Sequence, residues 1–290
     1  MEQLAQGFGL VEGPVWDDQR GLVFSDVLAG GVYVLGADGR VSTLFPHRKG
    51  VGGMVQHAEG GMVVSGREIS FKPYPDDAGR GGTVQILDRD PEHGNVGYND
   101  ITADARGRIY AGSLGNSPVF QDGRAAADGG LFLIDVDGSA RQVASGIGLT
   151  NGLGFSPDGR VLYHSDSRVR TVWRYDVGAD GSLSPKVPFV RTADGVPDGL
   201  AVAVDGSVWV ALAGGGHGVA TFAPDGSPRG FLRIPVPMCT SLCFGGRDLR
   251  DLYIVSGSEG TGSERGGAVY RTRVDVAGLP VAVARVRLAR

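Results

Sequence analysis

Six segments of the sequence repeat one pattern, and this repetition limits the fold more strongly than any other feature. Each segment joins an apolar, alternating stretch to a second β-rich stretch through a short polar turn. The segments are residues 14–26, 54–66, 101–113, 153–166, 200–211 and 242–256. Each turn contains glycine, which adopts the positive φ of a tight hairpin turn at little cost. The pattern therefore predicts six β-hairpins.

A second strand pair follows the hairpins, most clearly in residues 31–44 and 131–140. Two hairpins per repeat make a four-stranded antiparallel sheet, and the repeats begin 40 to 52 residues apart, as propeller blades do. We therefore expect an all-β chain that forms a single six-bladed β-propeller domain, residues 1–290, with four antiparallel strands per blade. A two-domain β-sandwich protein is the alternative, but it does not explain the even repeat.

The ring of a propeller must close to protect the edges of its sheets, so we expect the two chain ends to complete one shared blade. Residues 281–288 alternate as a strand should. Residues 2–10 are expected to pair nearby.

The composition favours a small-molecule partner. The 290 residues carry a formal net charge of −4 that is dispersed, which leaves no basic surface for nucleic acid or an anionic membrane. No apolar run approaches the roughly 18 residues that span a bilayer, and the first residues do not resemble a signal peptide. We expect a cytoplasmic protein, a monomer or small homo-oligomer. Its two cysteines, Cys239 and Cys243, should be free thiols, since strand geometry keeps them roughly 13 Å apart.

One register position of the predicted inner strands is polar in most blades. Two residues before the apolar start of each hairpin lie Glu12, Gly52, Asn99, Asn151, Asp198 and Thr240. Inner strands line the central channel of a propeller, so residues in one register lie at one height around its axis. Glu12, Asn99, Asn151 and Asp198 offer oxygen ligands with two negative charges, which suits a hard divalent cation. We expect Ca²⁺ first, with Mg²⁺, Mn²⁺ or Zn²⁺ as alternatives, and no nearby Cys or His.

Five phrases carry a resemblance to a known family. They are Val-Glu-Gly-Pro-Val-Trp from Val11, Tyr-Asn-Asp from Tyr98, Thr-Asn-Gly-Leu-Gly-Phe-Ser-Pro-Asp-Gly from Thr150, Pro-Asp-Gly-Leu from Pro197 and Thr-Ser-Leu-Cys-Phe-Gly-Gly from Thr240. In order and spacing they resemble the senescence marker protein, gluconolactonase and luciferin-regenerating-enzyme family, over nearly the whole chain. The resemblance implies a metal-dependent hydrolase of a lactone or related ester. It implies Glu12, Asn151 and Asp198 as metal ligands, Asn99 as a ligand or substrate contact, and Asp198 as general base.

Two positions depart from the family pattern. Gly97 stands where sugar-lactonase members tend to carry an arginine that holds substrate hydroxyls, and Ile101 stands where they carry glycine. Both changes make this wall of the site less polar. We therefore expect a substrate more apolar than a sugar lactone.

The site end of the channel, where the four polar residues lie, is expected to be rimmed by three long loops: residues 67–81, 114–128 and 257–266. Loops on a rigid scaffold commonly carry specificity. The candidate substrate contacts, besides Asn99, are Arg67, Glu68, Phe71, Lys72, Tyr74, Phe120, His217 and Glu259. Asp166 is a candidate for orienting a ligand from behind. His57 and His164 alternate with apolar residues and are expected to be structural.

Two other functions stay open beside lactone hydrolysis, since a fold alone does not determine function. The same metal site could serve a non-hydrolytic reaction, such as isomerisation, dehydration or cyclisation. The propeller could also be a binding protein with a structural ion. Loss of turnover on chelation separates an enzyme from a binding propeller, and the identity of the product separates the two reactions.

Overall fold

A computed structural model describes residues 1–75, 82–118, 123 and 125–289, and within them 24 strands form six four-stranded antiparallel sheets. The first blade contains β2 (Val11–Asp17), β3 (Gly21–Asp26), β4 (Val32–Leu35) and β5 (Val41–Phe45), and the second contains β6 (Met54–His57), β7 (Gly61–Val64), β8 (Ile69–Pro73) and β9 (Val84–Leu87). The third contains β10 (Gly97–Ala103), β11 (Ile109–Leu114), β12 (Gly129–Ile134) and β13 (Ala140–Ile147), and the fourth contains β14 (Thr150–Phe155), β15 (Val161–Asp166), β16 (Thr171–Asp176) and β17 (Val187–Arg191). The fifth contains β18 (Val196–Val202), β19 (Val208–Ala213), β20 (Gly218–Phe222) and β21 (Pro228–Arg233), and the sixth contains β22 (Cys239–Gly245), β23 (Asp251–Ser256), β24 (Gly267–Arg273) and the N-terminal strand β1 (Glu2–Phe8).

The six sheets form a ring. The first strand of each repeat is the inner one, and β2, β6, β10, β14, β18 and β22 contact one another in that order, with β22 returning to β2. This arrangement confirms the six-bladed β-propeller and the repeat boundaries on which the prediction depended.

Apolar side chains fill the space between neighbouring blades. Each of the six buried clusters takes its residues from two adjacent blades; the cluster around Val23 and Met54, for example, joins the first blade to the second. The blades therefore pack face to face like the sheets of a sandwich, and the ring is held by six such interfaces.

The N-terminal strand closes the ring. β1 pairs with β24, from Glu2 opposite Arg271 to Phe8 opposite Gly267, and so becomes the outermost strand of the sixth blade. The expectation that both chain ends share one blade holds for this end of the chain only.

The C-terminal segment does not form the expected strand over residues 281–288. It crosses the end of the channel opposite the site end, where Ala284 forms a bridge with His57 and Arg285 N donates to Gly107 O. Its alternation places Ala284, Val286 and Leu288 in the cluster between the second and third blades. The alternation of residues 281–288 thus predicts correctly which side chains are buried, but not which blade the segment contacts.

Helix is almost absent from the described residues, where the 3₁₀ turn Pro91–His93 is the only helical element. Across the same residues, no helix is both long and apolar enough to span a membrane.

Truncating Phe8 tests the closure of the ring. Its ring is 8% exposed and packs edge-on against Phe24 with centroids 5.1 Å apart. Phe8→Ala should lower the free energy of unfolding by about 3–5 kcal/mol, as large-to-small changes in a core do. Gln3→Ala, an exposed position on the same strand, is the matched control. Equal denaturation midpoints for the two variants would show that β1 does not close the ring.

Candidate metal centre at one end of the channel

β-Bulges interrupt the inner strands at the residues that the sequence selected. The register shifts between Glu12 and Val15 in β2, Tyr98 and Ile101 in β10, Thr150 and Leu153 in β14, and Pro197 and Leu200 in β18. A bulge leaves a residue unpaired and re-aims its side chain. The sequence Glu12-Gly13 shows why the local chain accepts it, since Gly13 adopts φ +54° where the backbone of the second blade passes close by. Four blades thus direct a polar residue to one end of the channel.

Glu12 and Asp198 are buried carboxyl groups that lie near each other, 9% and 7% exposed. Burial raises the pKa of Glu12 well above its ordinary value, and the negative charge of Asp198 adds to the effect. Burial likewise raises the pKa of Asp198, reinforced by Asp100. Carboxylates that are this buried need a compensating cation to stay ionised. Oxygen donors with a local excess of negative charge fit a hard divalent ion.

The two carboxamides of the column touch. Asn99 Nδ2 donates to Asn151 Oδ1 at 2.6 Å and to the backbone oxygen of Thr150 at 2.8 Å. Gly52, the residue of the second blade in the same register, leaves the room that this contact needs, because a Cβ built there would lie 2.0 Å from Asn99 Oδ1. Gly52 therefore leaves space for the side chain of Asn99.

Asp100 is a site residue that the sequence analysis missed. It lies inside the bulge of β10, and burial raises its pKa to about 7. Its charge also contributes to the raised pKa values of Glu12 and Asp198. Alternation along a regular strand would direct Asn99 and Asp100 to opposite faces. The polar doublet at a bulge was the available signal that both residues serve one site.

A cysteine lies closer to the site than expected. Cys239 precedes Thr240 in β22 and is fully buried; burial raises the pKa of its thiol far above the ordinary value, and the negative charges of Asp198 and Glu12 add to this. In the metal-free protein this thiol stays protonated at neutral pH. Both cysteines are free, as expected. Within the described ranges, no three His, Cys, Asp or Glu side chains are grouped as metal ligands, so the candidate centre depends on carboxamides as well.

The expected loop over residues 67–81 is wrong in part, because β8 occupies residues 69–73 and runs away from the site end. Phe71 is 5% exposed in the core beside His57, and Tyr74 OH donates to Asp17 Oδ2 at 2.8 Å, at the opposite end of β2. Neither lies where a substrate at the site end would reach it. Lys72, also on β8, donates to Thr83 Oγ1 at 3.1 Å.

Arg67 and Glu68 do lie at the site end. Gly66 forms a bridge with Tyr98, which places Arg67 beside the third blade, its Cα 3.6 Å from a Cβ built on Gly97. Arg67 is exposed. Glu68 accepts from Ser70 at 2.9 Å and pairs with Arg48 at 3.5 Å, so it is already engaged.

The remaining candidates divide by position. His217 is half-buried in the turn between β19 and β20, and Glu259 is exposed between β23 and β24; both turns lie at the site end. Phe120 lies outside the described residues. Asp166 accepts from the backbone N–H groups of Gly148 and Leu149 at 3.0 and 2.9 Å, so it braces the approach to β14 without touching the column.

The two structural histidines are placed as expected. His57 Nε2 donates to the backbone oxygen of Val286 at 2.9 Å. His164 Nε2 lies 2.8 Å from Thr150 Oγ1, and burial lowers the pKa of His164 to about 3.

A cavity of about 900 Å³ occupies the channel from the opposite end. Its walls are mainly apolar, and it reaches Gly13, Asp100 and Ser241, which directly follow column residues.

A profile of the SMP-30/Gluconolactonase/LRE-like region matches residues 10–258 of the chain. The chain belongs to this family. A 6-deoxy-6-sulfogluconolactonase of Pseudomonas putida is 35% identical over 284 residues, which cover 93% of this chain and 92% of that protein. Pentonolactonase XacC of Haloferax volcanii is 31% identical over 297 residues, 96% of each chain. Among solved structures, a luciferin-regenerating enzyme superposes with a TM-score of 0.84 at 24% identity, covering 98% of this chain and 99% of that one, which shows the shared fold of the family.

The raised pKa of Asp100 predicts a pH effect on the metal-free protein. A carboxyl with a raised pKa binds more protons in the folded state, so its presence lowers stability as pH rises from about 4 through about 7. With a chelator present, Asp100→Asn should stabilise the protein at pH 8 by on the order of 2 kcal/mol, and this gain should vanish near pH 4. Denaturant unfolding across this range measures it.

Asp137→Asn is the control for this experiment. Asp137 is an exposed carboxylate whose pKa is lowered by hydrogen bonds from Ser139. Its replacement should give no gain at high pH. A gain for Asp100→Asn that is the same at pH 4 and pH 8 would contradict the assignment of a buried, unfavourable charge.

Proposed function

We propose that the protein is a divalent-cation-dependent hydrolase of lactones. The observation that carries the proposal is the convergence of two buried carboxyls, Glu12 and Asp198, with the paired carboxamides of Asn99 and Asn151. The relatives from P. putida and H. volcanii bear lactonase names, which supports the same reaction class. Ca²⁺ is the ion we expect first, because all the proposed ligands are oxygens.

The chain supplies the cation ligands and the base. Glu12, Asn151 and Asp198 would hold the cation, with Asn99 beside them to contact the substrate. When bound, such a cation lowers the pKa of water and polarises a carbonyl. Asp198 accepts the proton from the attacking water, whose oxygen bonds to the carbonyl carbon. The ring C–O bond then breaks, and its oxygen takes up the proton that Asp198 had accepted, which gives the hydroxy acid and restores the Asp198 carboxylate.

We propose a hydroxylated lactone as substrate, in place of the more apolar substrate expected from Gly97. Arg67 lies beside Gly97 at the site end and makes no hydrogen bond or ion pair with any other described residue. A guanidinium there offers five N–H donors to hydroxyl or anionic groups of a substrate. The wall next to Asn99 is therefore polar, although the donor comes from the second blade and not from the third.

A substrate panel tests the function. Chelated enzyme should hydrolyse none of the lactones, and Ca²⁺, Mg²⁺, Mn²⁺ or Zn²⁺ should each be tested for recovery. The panel compares hexono- and pentonolactones, unsubstituted alkyl lactones and a simple ester, with the product identified by mass. Turnover restored by metal and fastest on hydroxylated lactones is the expected result. Undiminished hydrolysis in chelator, or a product that has not gained water, would contradict the proposal.

Two substitutions separate the base from the ligands. Asp198→Asn keeps an oxygen and a similar volume but loses the base, so kcat should fall by about 10²–10⁴-fold even at saturating metal. Asn151→Asp adds a charge and should retain or tighten metal binding. Steady-state kinetics at metal concentrations that saturate each variant compare the kcat values. Near wild-type kcat for Asp198→Asn would leave Asp198 as a ligand only, and the base would then be sought at His217 or Glu68.

A further inference from the structure

We propose that Ser167 is a positioning residue whose hydroxyl holds the carboxamide of Asn151 with its oxygen toward the cation. A carboxamide can ligate a cation through its oxygen but not through its NH₂ group, so its orientation decides whether it binds. Ser167 directly follows β15 and is 5% exposed. It stands outside the polar column of the inner strands. The inference rests on the proposed cation at Asn151.

Three consecutive hydrogen bonds connect the third, fourth and fifth blades. Asn99 Nδ2 donates to Asn151 Oδ1 at 2.6 Å. Asn151 Nδ2 donates to Ser167 Oγ at 2.7 Å, and Ser167 Oγ donates to the backbone oxygen of Pro197 at 2.6 Å. Pro197 directly precedes Asp198, so the chain connects two of the proposed ligands through one hydroxyl.

The backbone oxygen of Pro197 fixes the direction of both hydrogen bonds that Ser167 makes. A backbone carbonyl can only accept, so the single hydroxyl proton of Ser167 goes to Pro197. The oxygen of Ser167 then has only lone pairs to offer Asn151, which must present its NH₂ group to the serine and its Oδ1 to the opposite side. Buried polar groups adopt such fully paired arrangements because an unpaired group is costly.

The same logic passes on to Asn99. Asn151 Oδ1 and the backbone oxygen of Thr150 can both only accept, so Asn99 presents its NH₂ group to both of them, at 2.6 and 2.8 Å. Both amide protons are then used, and Asn99 Oδ1 is the end left over. Each carboxamide has one favoured orientation, and in each a lone pair on oxygen is available to a cation.

Ser167→Ala removes the oxygen that selects this orientation. The NH₂ group of Asn151 loses its acceptor and the backbone oxygen of Pro197 loses its donor, so only the NH₂ group of Asn99 still opposes a flipped Asn151 carboxamide. Partners that orient metal ligands are typically worth about 10–100-fold in metal affinity. We expect a loss in that range, by calorimetric titration with Ca²⁺ and Mn²⁺.

A double-mutant cycle with Asn151→Asp separates orientation from general support of the fold. A carboxylate has two equivalent oxygens, so the flip has no consequence in that background. Ser167→Ala should therefore cost far less metal affinity in Asn151→Asp than in the parent. A role in holding the backbone of Pro197 and Asp198 alone would cost the same affinity in both.

Ser165→Ala is the matched control. Ser165 lies two residues earlier, is fully buried, and its hydroxyl has no partner within the described part of the chain. It should leave metal affinity unchanged. In metal-free protein, ¹⁵N spectra should show changed side-chain NH₂ signals of Asn151 and Asn99 in Ser167→Ala and not in Ser165→Ala.

The outcomes divide cleanly. A coupled loss of affinity together with the spectral change is the expected result. Equal losses in both backgrounds, or unchanged NH₂ signals, would overturn the role of Ser167 while the metal site stands. Unchanged cation binding in the double variant Asp198→Ala, Glu12→Ala would overturn the metal site itself, and the inference with it.

Discussion

The pairing of β1 with β24 is the contact on which the rest of the molecule depends. Glu12, Asn99, Asn151 and Asp198 come from the first, third, fourth and fifth blades, so no local element holds any two of them together. Their separation is set by the circumference of the ring. A ring with one unpaired blade would spread, and these four side chains would move apart.

The ring brings together groups that repel one another. Glu12, Asp100 and Asp198 all have raised pKa values: burial raises all three, and nearby negative charges add to the effect for Glu12 and Asp198. The six apolar interfaces between blades supply the stability that makes this arrangement tolerable, as is common at functional sites. The bulges at the column residues lie at one end of the channel, and beyond them the inner strands pair with their neighbours without a further register shift.

The sequence predicted the fold because a repeat is visible without knowing any contact. It also predicted the column, since residues two places before each hairpin share a height. The sequence could not show which segments lie against each other. The alternation of residues 281–288 correctly gave the buried face but not the partner, and β8 was hidden among residues 67–81 because Pro73 and Pro75 mark the segment as a loop. Arg67 was expected at the rim, but only the bridge between Gly66 and Tyr98 shows that it lies against Gly97.

The C-terminal segment crosses the ring along a diameter. Leu279 N donates to Val202 O in the fifth blade, and five residues later Ala284 bonds to Gln56 and Ala58 in the second, which lies directly across the axis. A circular wall deforms most easily by flattening into an oval. A segment that is hydrogen-bonded to two opposite blades resists that change. The segment therefore keeps the ring circular from the far end of the channel, away from the polar column.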